Sequence, residues 1–301
     1  MRTSKHYFAA VTAFIIWGFF SLVLKPLHEY PSLDILFYRV FLCVILMLGI
    51  NLLFRKNILK ETKQNFLAMP KKEKRNAILL TLGGAILLTA NWFFFIYVMN
   101  HVSVKSAAFA YLVCPILTTV FAFFILEEKL NNWQWTAVAL SVFSCILLGF
   151  NHIMDVFYSV IIAATYALYL VSQRRNKAID KFLLLTLQLT TSAIILLPFY
   201  PFYRGEVPTE ISFYVYIAII SVFFTIIPLF LNLFALKEMS SASVGILLYI
   251  NPLINFFLAI FYYHEEITAL QIVAYSIIFL SILVFNVKTI FKTKAQTLPQ
   301  N

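Results

Sequence analysis

Apolar residues run along this chain in blocks of about 18 to 24, the length an α-helix needs to cross a hydrocarbon core about 30 Å thick at about 1.5 Å rise per residue. Ten such blocks fall at 7–25, 34–54, 77–99, 104–126, 132–150, 152–173, 181–203, 211–235, 240–262 and 268–287. The connectors between them are mostly too short to fold alone, which leaves no separate soluble domain. One long connector, 55–76, is polar and basic and reads as a linker. Tyr7 to Leu24 is too long for a signal-peptide core and no small-residue cleavage site follows it, so the pattern predicts a retained helix.

Composition agrees with the block pattern. Hydrophobic residues make up 62% of the 301 and charged residues 12%, against about 45–50% and about 25% in an ordinary soluble domain. A water-soluble fold of this size has no way to hide that much apolar surface, whereas a bilayer does. Charge then orients the chain. With the N-terminus inside, the cytoplasmic segments hold Arg2, Lys5, the eight basic residues between 55 and 75, Lys129, the four from 174 to 181, Lys237, Lys288, Lys292 and Lys294. The outer connectors hold only Lys25, Lys105 and Arg204, and Arg39 lies within a span. This asymmetry predicts a multi-pass protein of the inner (cytoplasmic) membrane with both termini in the cytoplasm. Basic loops beside anionic headgroups account for the net charge of +10 without a nucleic-acid partner. Cys43, Cys114 and Cys145 all fall within spans, too scattered for a metal site or a disulfide framework. No cofactor is implied.

The chain also repeats itself. Laying residue n on n + 137 aligns Ser103 with Ser240, Ser106 with Ser243, Pro115 with Pro252, Ala122 with Ala259, Phe124 with Phe261, Glu128 with Glu265 and Gln134 with Gln271, without a gap. The matched spans are the fourth and the ninth. Five spans apart in order, they run in opposite directions through the membrane. The expected fold is therefore all-α and integral to the membrane, ten transmembrane helices arranged as two inverted five-helix repeats, residues 1–150 and 151–301. Many secondary transporters have this architecture, with substrate sites near the midplane between the halves.

Particular residues then carry a family resemblance. Asn91-Trp92-Phe93-Phe94-Phe95-Ile96-Tyr97-Val98-Met99-Asn100, followed by Tyr111 and Pro115, resembles the third and fourth helices of RarD-type proteins, in the EamA group of the drug/metabolite transporter superfamily. Gly245 to Pro252 and the closing Tyr263-His264-Glu265 agree in the second half, as do Trp17-Gly18 and Leu36-Phe37-Tyr38-Arg39 in the first. The resemblance implies a ten-helix permease that moves a small organic solute by alternating access, with export the favoured direction. It leaves the cargo open. The chain departs from the family pattern at Tyr38, Ser106, Cys114, Glu127 and His264; at the last two, glycine is usual.

Candidate site residues follow from the cost of polar groups at membrane depth. Prolines free the carbonyl four residues earlier: Pro115 frees that of Tyr111, Pro228 that of Phe224 and Pro252 that of Leu248. Such carbonyls line a cavity or permit bending, or a neighbouring helix satisfies them. Arg39 is either a residue that snorkels to the outer interface or an anchor for a carboxylate or phosphate. Asn91, Asn232, Asn251 and Asn255 offer hydrogen bonds either to solute or between helices. Trp17, Trp92, Tyr111, Tyr169 and Tyr249 are candidates to wall a cavity. All thirteen carboxylates lie in loops or near span ends, so Glu128, Asp155 and Glu265 are either solvated helix ends or gating or coupling groups at the cavity mouths. No P-loop is present to drive transport with ATP. The leading expectation is a secondary transporter of a small neutral, zwitterionic or anionic metabolite, monomeric or homodimeric. The rival is a multi-spanning enzyme acting on lipids, for which Tyr263-His264-Glu265-Glu266 is the one clustered candidate.

Overall fold

A computed structural model describes residues 2–101, 104–149, 153–177, 179–264 and 268–297. Fifteen α-helices follow in order: α1 Arg2–Gly18, α2 Phe20–Leu24, α3 Ser32–Phe54, α4 Lys56–Ala68, α5 Lys71–His101, α6 Val104–Leu126, α7 Asn132–Gly149, α8 Ile153–Arg175, α9 Lys181–Leu196, α10 Tyr200–Tyr203, α11 Ile211–Ser221, α12 Ile227–Ala235, α13 Ser241–Leu247, α14 Ile250–Phe261 and α15 Ala269–Thr297. The described residues contain no strand. Nine helical stretches among them are long and apolar enough to cross a membrane, and α9 is a shorter apolar tenth. Ten spans therefore hold, the first built of α1 and α2, the eighth of α11 and α12, and the ninth of α13 and α14.

Three local differences from the block pattern have clear causes. The seventh span was expected to run to 203, but α9 ends at Leu196, because Pro198 cannot continue a helix and the chain turns before α10. The linker at 55–76 is itself helical. Its Leu59, Thr62 and Phe66 sit at helical spacing and are half-buried, while Lys56, Lys60 and Lys63 are exposed. Such an amphipathic 13-residue helix is invisible to a search for apolar blocks. In the eighth span, a π-helical turn at Val222–Ile226 joins α11 to α12 ahead of Pro228.

The two related spans, α6 and α13–α14, differ in shape. Pro115 lies inside a continuous α6, whereas the ninth span breaks at Leu248 and Tyr249, just before Pro252. With its normal donor missing, the Leu248 carbonyl accepts the Asn251 N–H at 3.1 Å. Both spans nevertheless end alike. Glu127 (φ 55°) and His264 (φ 53°), which are 137 residues apart, are the left-handed non-glycine residues of the described chain. A left-handed residue stops a helix, and these stand where the family pattern has glycine.

Packing brings the repeats into contact. Helix α6 lies against α8 and α13, α5 against α8 and α9, α1 against α12 and α14, and α3 against α9 and α11. At the α6–α13 crossing the absent side chain of Gly245 is filled by Thr118, whose Cβ would stand 2.8 Å from an added methyl. One large cluster, containing Phe14, Met47, Leu88, Tyr166, Tyr169 and Tyr249, forms the interior.

Candidate functional site

Four helices meet around Arg39: α3, α5, α6 and α11. This residue lies on α3 and is half-buried; its guanidinium rests on the Trp92 ring of α5, 4.8 Å from the ring centre. Its Nε is enclosed and has no hydrogen-bond partner. Neither ion pair among the described residues involves it: one joins His28 to Glu29, the other Arg55 to Asp180. Its electrostatic neighbours are Cys43, one turn further along α3, and Tyr111 of α6. The backbone is held from the opposite side, where Ser221 Oγ donates to the Arg39 carbonyl at 3.3 Å and Cys43 Sγ donates to the Ser221 carbonyl at 3.5 Å. An inward cation is thereby fixed at the entry to the π-helical turn.

Further aromatic rings line the interior nearby. Tyr111 packs at 5.7 Å on Phe95, one turn beyond Trp92. Trp17 donates its indole N–H to the Phe224 carbonyl at 2.9 Å, the carbonyl that Pro228 frees. The same indole meets Tyr166 edge-on at 6.3 Å, and Tyr166 stacks on Tyr169 at 5.7 Å. Asn232 Nδ2 donates to the Tyr166 hydroxyl at 3.0 Å, leaving Asn232 Oδ1 enclosed and without a partner. Trp17, Arg39, Trp92 and Tyr111 each keep part of their surface accessible.

Other expected residues lie deeper. Tyr169 and Tyr249 have no exposed surface and are packing residues of the core; the Tyr169 hydroxyl donates to Gln188 Oε1 at 3.4 Å. Buried Asn91 donates to the Ile162 carbonyl at 2.9 Å and to Thr165 Oγ1 at 3.3 Å, tying α5 to α8. Asn251 accepts from Asn255 Nδ2 at 2.7 Å within α14. Pro115 and Pro252 are buried. Glu128 reaches across to the other repeat, where its carboxylate accepts the N–H groups of Ser241 and Ala242 at 2.7 and 3.1 Å and so caps α13. Glu265 lies outside the described residues, as does the side chain of Asp155.

Sequence reasoning missed two features. Asp34, in the first turn of α3, is buried and accepts the Gly205 N–H with both oxygens, at 3.1 and 3.0 Å. Gln188 Nε2 donates to Gln173 Oε1 at 2.7 Å between α9 and α8. A signal was present for each: an acid at a helix N-terminus, and two glutamines inside apolar spans.

Ten apolar spans holding a cation against an aromatic ring in their interior define a multi-span membrane protein. The model of the EamA-like transporter family matches residues 4–150 and again 153–287, and the chain belongs to that family. It is similar to the uncharacterized transporter YojE of Bacillus subtilis, with 27% identity over 95% of this chain and 94% of that one. Protein RarD of Salmonella typhimurium is 25% identical over 96% of this chain and 97% of its own. A solved crystal structure superimposes with a TM-score of 0.75 over 95% of this chain and 97% of its own, at 14% identity, and shows the same fold.

Proposed function

We propose that this protein is a secondary transporter that moves a small organic metabolite across the cytoplasmic membrane by alternating access, in the direction of export. Its two working units are residues 1–150 and 151–301, inverted relative to one another, with both termini in the cytoplasm. The observation that carries this reading is a guanidinium laid on the Trp92 ring within a membrane span, near where spans from both units meet, its Nε without a hydrogen-bond partner and the charge without an ion pair. A charged side chain within a span costs up to about 3 kcal/mol to insert, most of it toward the helix centre, so its presence calls for a use.

Three further features fit. The carboxyl end of α6 and the start of α13 are joined by Glu128, which gives the cytoplasmic mouth a latch that opens when α13 withdraws. A broken span and a π-helical turn flank the interior, and both are elements that bend without exposing backbone to lipid. The left-handed stops at Glu127 and His264 occupy equivalent places in the two units. Trp17, Arg39, Trp92 and Tyr111 are the residues proposed to meet the solute; Asn91, Pro115, Tyr169, Tyr249, Asn251 and Pro252 shape the wall behind them. Glu128 is proposed for gating, with Asp155 and Glu265 as its sequence-derived companions.

The test is flux. Protein reconstituted in liposomes is expected to exchange preloaded metabolites with saturable kinetics. Chemical turnover of a lipid without any solute displacement would replace this reading with that of a membrane enzyme.

A further inference from the structure

The charge inventory of the site narrows its cargo. A guanidinium supplies one positive charge and a planar fork of donors that fits a carboxylate in two parallel hydrogen bonds. Here Arg39 Nε is enclosed and unpartnered, Trp92 covers one face of the guanidinium, and no described carboxylate lies within ion-pair distance. In a low-dielectric interior one cation balances one anionic charge, and a phosphate monoester near two charges overshoots it. An ammonium finds no counter-charge. The nearest acid along α3, Asp34, lies five residues toward the helix N-terminus, roughly 7.5 Å away by helical rise, and is already committed to Gly205. What is seen against the cation is aromatic: the Trp92 ring lies on it, and Tyr111 is its electrostatic neighbour on α6.

We infer that the site takes an organic monocarboxylate lacking an amino group, its carboxylate on the Arg39 guanidinium and its apolar or aromatic body toward Trp92 and Tyr111. This deepens the transport reading and rests on it. It excludes organic cations and places zwitterions and phosphate esters behind simple acids. The guanidinium then sits unpaired only while the carrier is empty, so cargo binding relieves a cost already present in the interior.

The experiment uses the full chain in maltoside micelles and a set of probes that share one body: 3-phenylpropanoate, its amide, 3-phenylpropylamine, phenylalanine and phenyl phosphate. Binding is read by thermal shift and by quenching of tryptophan fluorescence, and transport by counterflow of each probe in liposomes. Phenylpropanoate is expected to bind at least roughly tenfold more tightly than its amide or the amine. Arg39→Gln should lose that preference while eluting as a normal monodisperse species. Arg39→Lys, which keeps the charge and loses the fork, should fall between.

Equal binding of acid and amide overturns the inference, as do tighter binding of phenyl phosphate, undiminished acid binding in R39Q, and failure of every probe to bind. An Arg39-dependent stabilisation by phosphatidylglycerol in place of the soluble acids would assign the cation to a lipid headgroup and overturn it too. The two readings fail separately. Saturable flux of amide or amine without preference for the acid leaves transport standing and removes the carboxylate assignment. Arg39-dependent acid binding without flux does the reverse.

Discussion

Two sets of buried polar groups lie inside this protein, and they are treated differently. Between α3, α5, α8 and α9 side chains hydrogen-bond one another across helices, although Asn51 Oδ1 and Asn176 Oδ1 remain enclosed without a partner. Gln188 donates to Gln173, Gln173 to Ser172 Oγ at 2.9 Å, Asn176 to Thr81 Oγ1 at 3.0 Å, Asn51 to Thr186 Oγ1 at 2.8 Å, and Thr89 to Ser192 Oγ at 2.8 Å. Neither glutamine keeps an enclosed atom without a partner. The helix α5 makes room for the pair at Gly84, where a methyl group would collide with both glutamine amides. At Arg39, by contrast, the enclosed Nε of a charged side chain is left without an acceptor. Paired polar groups hold helices together; a charged one left without an acceptor in the interior is the costliest to leave so, and the one for which a transient partner matters most.

That contrast can be broken by mutation. The largest expected effect is at Arg39. Arg39→Gln should lower solute flux at least roughly tenfold and leave the thermal unfolding temperature unchanged or slightly raised, because it removes a buried charge that has no protein partner. A marked fall in thermal stability with normal flux would place Arg39 among the structural groups. Gln188→Leu should show the reverse pattern. It leaves Gln173 Oε1 without its donor and the Tyr169 hydroxyl without its acceptor, and should destabilise the protein by about 1–3 kcal/mol in a denaturation series, with the KM for solute unaltered. A raised KM in that variant would erase the distinction between the two regions.

Smaller effects test the joints. Glu128→Ala removes the acceptor for two backbone donors at the start of α13 and should cost about 1 kcal/mol, and protease nicking of the loop before Ser241 reports it. Glu127→Gly and His264→Gly remove the side chain from left-handed positions and should each stabilise by about 1 kcal/mol, measured as paired thermal shifts of similar size. Unequal shifts at these two positions would show that the two helix ends are not equivalent.

How much of this was legible beforehand differs between the two regions. Span number followed from block length, because crossing hydrocarbon imposes one length on every helix. The end of α9 was less legible, since residues 197–203 are as apolar as the helix before them and only Pro198 marks the turn. The helix α4 escaped because its apolar face is narrow. For the site, Arg39 was conspicuous as the basic residue within a span, and Trp17, Trp92 and Tyr111 as aromatics beside other matched motifs. Sequence spacing does not report depth, however. Tyr169 and Tyr249 look like Tyr111 in the chain, yet they are closed into the core while Tyr111 keeps an accessible edge. Asn91 was equally ambiguous until its partners on α8 became visible.

The unequal shapes of α6 and α13–α14 have one more consequence. The same proline stands at the same place in both, yet one copy is whole and the other is snapped in two. If the proposed cycle operates, these are two poses of one hinge, seen together in a single molecule. Tracing residues 241–261 along the path of 104–126, and 104–126 along that of 241–261, therefore draws the opposite-facing form of the carrier without a second structure. In that form α6 is the broken span and the ninth is straight.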